Sequence, residues 1–368
     1  VGVIGTGWWA TRAHLPALAA SPDADLAAIA DPDAANLGRA ADRFGVARAY
    51  GSAEAMLDAE RLDAAIVATP HATHARLARA CLDRGLHVLV EKPMTVDPAD
   101  AWDLVARAGA VGRQLRVGYP WHFNRQAVAL RDAIAAGRIG RVEMVQCLFA
   151  STVRSLYRGD PEPYRDVLGY PVNTPGAATY SDPTVAGGGQ GHAQLTHSLA
   201  LVLFLTDLRP DLVTGLTADF ELPVDLADAM AVRFEGGAIG SLGSVGSVQP
   251  GQDEMLEIRI FGDAGHVVFD VNTGAAAIHG QEGAVDRLAG LPADDRYPEW
   301  APALDLVAVA SGRDGNGTPG ELGARVVAAI DGLYRSSAEG RAVTPVGPSA
   351  AGAVPVARSV RPTVEAPA

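Results

Sequence analysis

Over roughly its first 120 residues the chain alternates short apolar runs with helical stretches, and a glycine-rich turn stands at the first junction. Gly2–Ile4 ends a strand, Gly5-Thr6-Gly7-Trp8-Trp9-Ala10 follows, and Trp8–Ala20 has helical spacing. The pattern then repeats. Asp25–Ala30, Ala64–Ala68, His87–Val90 and Leu115–Gly118 read as strands, while Ala34–Phe44, His71–Arg84 and Ala99–Ala110 read as helices. Gly45 and Gly85 stand where two of these helices should end. A helix of ~10–15 residues between strands returns the chain to the same edge of a sheet, so the strands run parallel with helices on both faces. Residues 1–120 are therefore expected to form a doubly wound α/β Rossmann domain.

The turn has the form G-x-G-x-x-A. Gly5 permits the tight bend, Gly7 lets the backbone approach a pyrophosphate, and Ala10 lets the helix lie close to its strand. The backbone N–H groups of Thr6, Trp8 and Trp9 open that helix and favour an anion. Asp31 ends the second strand, where a carboxylate accepts both ribose hydroxyls and repels a 2′-phosphate. NAD is thus expected in preference to NADP.

After about Gly140 the rhythm changes. Arg141–Ala150, Asp211–Glu221, Ala227–Phe234, Ala238–Val248, Met255–Phe261 and His266–Val271 read as longer strands, with hairpin turns at Gly236-Gly237 and Gly262-Asp263-Ala264-Gly265. Helices at Gln190–Leu205 and Gly320–Ser337 interrupt them. Residues 121–343 are expected to form an α+β domain around one large, mostly antiparallel open sheet that binds substrate and forms oligomers. Ser151–Ala186 is an aperiodic loop whose length suggests function or disorder, and 344–368 is a Pro/Ala-rich tail or strap. Val1 already lies inside a strand, so a few residues are expected upstream, a cleaved export signal among the possibilities.

Charge excludes one class of partner: 43 acidic against 30 basic residues give −13 at neutral pH, which repels nucleic acid. No apolar run reaches the ~18–20 residues of a membrane helix. Cys81 and Cys147 lie in apolar segments and read as two core thiols in a reducing cytoplasm. Lys92 is the sole lysine in a chain whose other 29 basic residues are arginine.

That lysine sits in Glu91-Lys92-Pro93-Met94, preceded by Ala68-Thr69-Pro70-His71-Ala72-Thr73-His74. Further along come Gly137-Arg138-Ile139-Gly140, then Gly187-Gly188-Gly189 leading to His197, and a closing stretch from Tyr297 and Trp300 to Arg341. Taken in order over Val1–Val343, these motifs resemble the Gfo/Idh/MocA oxidoreductases, which oxidise or reduce hydroxyl and keto groups of sugars, inositols and related polyols with NAD(P). The resemblance implies that Lys92 stands between nicotinamide and substrate, donates a charge-assisted hydrogen bond to the reacting oxygen and passes a proton. It implies Glu91 near the nicotinamide ribose, and Thr69, Pro70, His71, His74 and Trp121 along the cofactor. His197 becomes the partner acid–base.

One position departs from the family pattern. An Asp usually stands four residues before the catalytic His, and here that residue is Ala193. Gln194 is the expected substitute, within reach of the His197 ring, with Gln190 one turn further back. His192 falls on the other side of an ideal helix and joins the site only if the helix starts later. His122, where the family often has arginine, and Trp121 and Tyr180 complete the expected substrate contacts. The pair His71 and His74 lacks a third ligand nearby, so no metal is expected. The leading expectation is an NAD-dependent dehydrogenase or ketoreductase of a sugar or cyclitol, acting as a homodimer or homotetramer. The alternatives are a redox-neutral enzyme that uses bound NAD transiently for elimination, epimerisation or glycoside cleavage, and a non-catalytic NAD-binding regulator.

Overall fold

A computed structural model describes residues 1–165, 169–315 and 317–348. Six strands alternate with helices in the first part: β1 Gly2–Ile4, β2 Ala28–Ala30, β3 Ala49–Tyr50, β4 Ala64–Val67, β5 His87–Glu91 and β6 Leu115–Gly118. They lie parallel in the order β3-β2-β1-β4-β5-β6. The order reverses between β1 and β4, which opens a crevice at the carboxyl ends of both strands. Strand β3 and the helix Ala53–Ala59 are additions to the elements read from sequence; β3 has two residues, too few to show a period. Helix Ala34–Phe44 is capped by the Asp33 carboxylate, which accepts from Ala35 and Asn36, and it ends on left-handed Gly45.

The second sheet contains β7 Val142–Ala150, β8 Pro210–Ala218, β9 Ala227–Phe234, β10 Ile239–Val245, β11 Met255–Gly262, β12 Gly265–Asp270, β13 Ala275–His279 and β14 Val285–Leu288. Its order is β14-β13-β12-β11-β7-β10-β9-β8. Two antiparallel runs flank β7, which pairs antiparallel with β11 and parallel with β10. The sheet is mostly antiparallel, as its hairpin turns required. Its inner face takes Val145, Cys147, Met230, Val232, Ile258 and Ile260, while the residues between them face outward.

Helix Thr196–Thr206 is apolar on every side and buried from Thr196 to Leu205, packed between β7 and the helices Arg125–Ala135 and Gly320–Glu339. The chain then returns to the first sheet. Helix Ala301–Ala310 places Ala303, Leu306 and Val307 against Val3, Ile66 and Leu89, and β15 Thr318–Pro319 pairs antiparallel with β6. The two parts therefore share a core contributed from both ends of the chain. At the far end Val343 bridges Val213 and the Trp102 indole donates to Val346 O. Positions of the expected tail after 348 lie outside the described residues.

Candidate active site

Gly5 has φ of +92°, and a Cβ there would collide with the carbonyl of Ala68, so β1 and β4 approach this closely only with glycine. Gly7 differs: a Cβ would meet nothing within 4 Å, because the residue faces a cavity. That cavity, about 850 Å³, runs from Asp31 past the glycine turn to Lys92 and on to Trp121 at the second sheet. Asp31 Oδ2 accepts from the backbone N–H of Thr6 at 2.7 Å and from its hydroxyl at 3.0 Å, and Oδ1 accepts from Asp33 N. Thr6 is thus buried as the clamp on Asp31, which itself lines the cavity. A dinucleotide fits this arrangement: open backbone at Gly7, a carboxylate at one end and an ammonium at the other.

The middle of the cavity is built by two histidines used as struts. His71 Nδ1 bonds to Ala186 O at 2.8 Å. His74 ties Pro93 O at 2.8 Å and Thr69 O at 2.7 Å, fixing the Thr69-Pro70 loop to the turn that carries Lys92. Burial lowers the pKa of both rings. Among the described residues, no group of three or more His, Cys, Asp or Glu side chains converges as a metal site would require. The Lys92–Pro93 peptide bond is cis.

Glu91 is held at its far side. Oε1 accepts from Trp9 Nε1 at 2.9 Å and meets His14 Nε2 at 2.8 Å, while Oε2 accepts from Lys92 N at 3.2 Å. A Cβ on Gly118 would strike this carboxylate, so glycine on β6 makes its room. The carboxyl pKa falls: burial opposes that direction, but the hydrogen bond and charge of His14 and the charge of Lys92 outweigh it. Lys92 Nζ donates to Ala193 O at 3.1 Å, and burial of the ammonium brings its pKa down to about 8 against the pull of Glu91.

Ala193 belongs to a π-helical turn, Gly191–Leu195, at the head of the helix that carries His197. The triple glycine is explained by what secures that turn. The Asp225 carboxylate accepts from Gly189 N at 2.7 Å, Gly191 N at 2.9 Å and Tyr334 Oη at 2.9 Å; the Tyr334 ring leaves no room for a side chain at Gly188 or Gly191, and the Asp225 main-chain carbonyl leaves none at Gly189. His197 lines the cavity in edge-to-face contact with Trp121 and Tyr119, centroids 5.4 and 5.8 Å away. Its Nδ1 is buried without a partner among the described residues, and burial, then Lys92 and His122, hold its pKa well below the ordinary histidine value.

The structure separates the remaining expected residues. Gln194 lines the cavity but makes no hydrogen bond to His197 among the described residues; the wider π turn shifts the phase that an α-helix would give. Tyr180 and Trp121 also line it. Three others lie outside the cavity wall, against expectation. His122 is stacked between Tyr119 and Phe204 with Nδ1 on Thr318, because its short 3₁₀ turn, Pro120–Phe123, points it into the core. Gln190 accepts from Tyr157 Oη and donates to Ser151, and His192 stacks on Tyr334 at 4.9 Å.

Several residues that shape the site belong to no motif in the sequence. His14 meets Glu91 across 77 positions of chain, and Asp225 meets Gly189 across 36. Phe149 lies near the end of β7, Thr152 and Tyr157 follow in the segment after it, and Arg296 stands beside Tyr297 of the closing motif, before helix Ala301–Ala310. Arg296 Nε donates to Leu291 O, and Tyr297 packs its ring on Trp121 at 4.9 Å. The aperiodic loop folds back over the glycine turn, where Asn173 is buried.

A doubly wound sheet with an open glycine turn at its reversal point, leading through one cavity to a buried lysine, defines a dinucleotide-binding protein of the Rossmann class. Residues 1–119 match the oxidoreductase family with an NAD-binding Rossmann fold, and residues 127–268 match the GFO/IDH/MocA C-terminal domain. The chain belongs to the Gfo/Idh/MocA oxidoreductase family. It is 34% identical over 168 residues to the dTDP-3,4-didehydro-2,6-dideoxy-alpha-D-glucose 3-reductase of Streptomyces antibioticus, covering 46% of this chain and 50% of that protein. It is also 34% identical over 152 residues to inositol 2-dehydrogenase 4 of Saccharopolyspora erythraea, covering 40% and 44%. The chain thus spans about half the length of these relatives. The aldose-aldose oxidoreductase of Caulobacter crescentus has the same fold, with a TM-score of 0.73 and 24% identity over 93% of this chain and 98% of that one.

Proposed function

We propose that the protein is an NAD-dependent oxidoreductase acting on a hydroxyl or keto carbon of a sugar, sugar derivative or cyclitol. The observation that carries this reading is one continuous cavity with Gly7 and Asp31 at one end and Lys92, His197 and Trp121 at the other. Asp31, the glycine turn, Thr69 and Pro70 would hold the dinucleotide. When bound, its nicotinamide supplies the hydride acceptor or donor.

The chain supplies the rest. Lys92 meets the substrate oxygen, and with a pKa near about 8 its ammonium gives or takes a proton close to neutral pH. His14 and Trp9 fix Glu91, which fixes the turn beneath Lys92. His197 stays neutral and serves as second proton carrier or hydrogen-bond partner. Trp121 and Tyr297 present an aromatic wall suited to the apolar face of a pyranose or cyclitol ring. The work divides between a nucleotide part, residues 1–120, and a substrate and oligomer part, residues 121–343. We place the chain in a reducing cytoplasm, which suits its free, buried thiols Cys81 and Cys147, and assign it a homo-oligomer joined through the outward face of the second sheet. No helix among the described residues is long and apolar enough to cross a membrane.

A second reading, redox-neutral use of a retained nucleotide, is favoured by the covering of the nucleotide end by residues 169–186. Incubation with NAD and a panel of sugars and cyclitols separates the two. Stoichiometric NADH formation supports the dehydrogenase, and product without net NADH supports the redox-neutral enzyme. NAD binding with no turnover on any of them overturns both.

A further inference from the structure

We infer that residues 169–186 clasp the dinucleotide in its cleft, with Asn173 as the latch, so that nucleotide exchange requires this segment to open. The inference rests on the proposed NAD site. Asn173 comes from the loop after β7, yet every polar atom of its side chain is spent on the nucleotide part. Nδ2 donates to Thr6 O at 2.5 Å and to Asn36 O at 3.2 Å, and Oδ1 accepts from Arg39 Nε at 2.7 Å. The residue is 1% exposed. Thr6 is the residue between the two glycines of the phosphate turn, so the latch closes directly on the backbone that would hold the pyrophosphate.

Two further fastenings flank it. The Trp8 indole donates to Tyr180 Oη at 3.2 Å and packs edge-on against Tyr170 at 5.9 Å. Further along, Ala186 O meets His71 Nδ1 at 2.8 Å. Between these anchors Thr174, Pro175, Gly176 and Thr179 line the same cavity as Gly7 and Asp31. The nucleotide end is therefore bounded by both the Rossmann turn and this segment. A surface loop would not bury an amide this way for packing alone; its three bonds tie the cover to the floor.

The test is to load the full-length protein with NADH, chase it with excess NAD, and follow loss of nucleotide fluorescence. Losing a fully buried, doubly donating amide should speed release by about tenfold or more in Asn173→Ala. Tyr180→Phe, which keeps the ring and the Trp8 contact surface, should show a smaller acceleration. Hydrogen exchange of the wild-type amides at 170–180 gives a readout that needs no variant: NADH should slow it. Equal release rates in wild type and Asn173→Ala, or exchange at 170–180 indifferent to NADH, overturn the clasp while leaving the NAD site standing. Failure of the wild type to bind NADH overturns both. If Asn173→Ala does not fold, the hydrogen-exchange result alone decides.

Discussion

Lys92 Nζ donates to the main-chain carbonyl of Ala193 at 3.1 Å, at the position where the family pattern places a carboxylate. The partner of the ammonium is thus a neutral dipole. A carboxylate there would hold the lysine charged, whereas a carbonyl orients it without adding a full negative charge. Among the described residues Glu91 is the anion acting on Lys92, and it is outweighed by burial, which leaves the ammonium with a pKa of about 8. The missing Asp and the π turn that presents Ala193 O describe one arrangement.

Lys92→Arg should bind NAD almost normally and lose activity by ~10²–10⁴-fold, the usual worth of acid–base assistance. Guanidinium is planar, larger and effectively always protonated, so it neither fits the gap to Ala193 O nor passes a proton. Steady-state turnover beside NAD titration of the same preparation checks this. Undiminished turnover would remove Lys92 from the mechanism. As the sole lysine it also offers amine-selective modification, with the α-amino group as the other target, as a second test.

The pH dependence has a definite sign. Oxidation needs Lys92 able to accept a proton, so its rate should rise through about pH 8, and reduction should fall through the same range. The folded pKa lies below the ordinary 10.5, so the unfolded chain binds the extra proton between about 8 and 10.5. Charged Lys92 therefore costs stability below pH 8, and that cost fades as pH rises toward 10.5. Lys92→Met should melt at a higher temperature than wild type at pH 7, with the gap closing at alkaline pH. Calorimetry across that range checks it.

Ala193→Asp should fold, since the residue borders the cavity, and should move the pH midpoint upward by placing an anion beside the ammonium. His197→Ala should reduce turnover strongly. Gln194→Ala should raise KM more than it lowers kcat, because Gln194 faces the cavity and makes no bond to His197 among the described residues. Equal effects of Gln194→Ala and His197→Ala on kcat would restore Gln194 as the orienting group.

The Rossmann half was legible because its signals are local: an apolar run, a glycine turn and a capped helix each occupy a few adjacent positions. Asp31, Gly7 and Lys92 stand in such local patterns, and all three line the cavity. His122, Gln190 and His192 stand off the cavity: a 3₁₀ turn points His122 into the core, Gln190 is spent on Tyr157 and Ser151, and His192 stacks on Tyr334, where ideal helical phase also puts it away from His197. His14, Asp225, Asn173 and Arg296 act through partners brought near by the fold alone, so neither spacing nor composition marks them. Strands β13 and β14 escaped because Ala275–His279 is alanine-rich and Val285–Leu288 sits exposed at the sheet edge.

NAD should bind more tightly than NADP. Asp31 would meet the ribose, and Arg39, the nearby candidate to neutralise a 2′-phosphate, is occupied by Asn173 and Asn36. Quenching of Trp8 and Trp9 fluorescence measures both affinities, and Asp31→Ser should narrow their ratio. Equal or tighter NADP binding by the wild type would refute the assignment.

The outward face of the second sheet makes the last prediction. Register places Ile239 beside Met144 and Met144 beside Phe261, an apolar row across β10, β7 and β11. A second row sets Leu216 beside Ala229, Ala229 beside Gly243, and Gly243 beside Leu148. Leu216 and Ile239 are 71% and 52% exposed in the single chain, and between the rows Ala231 and Ser241 are small while Gln146 and Arg259 supply polar contacts for another sheet. Light scattering at micromolar concentration should therefore report at least a dimer. Leu148→Glu combined with Ile239→Glu puts one carboxylate into each row, and across a symmetric contact each carboxylate would face apolar surface or its own copy. The pair should shift the mass to that of a monomer while leaving NAD titration unchanged, since neither residue borders the cavity. A wild-type monomer, or a double variant with undiminished mass, would assign this face to something other than a second copy of the chain.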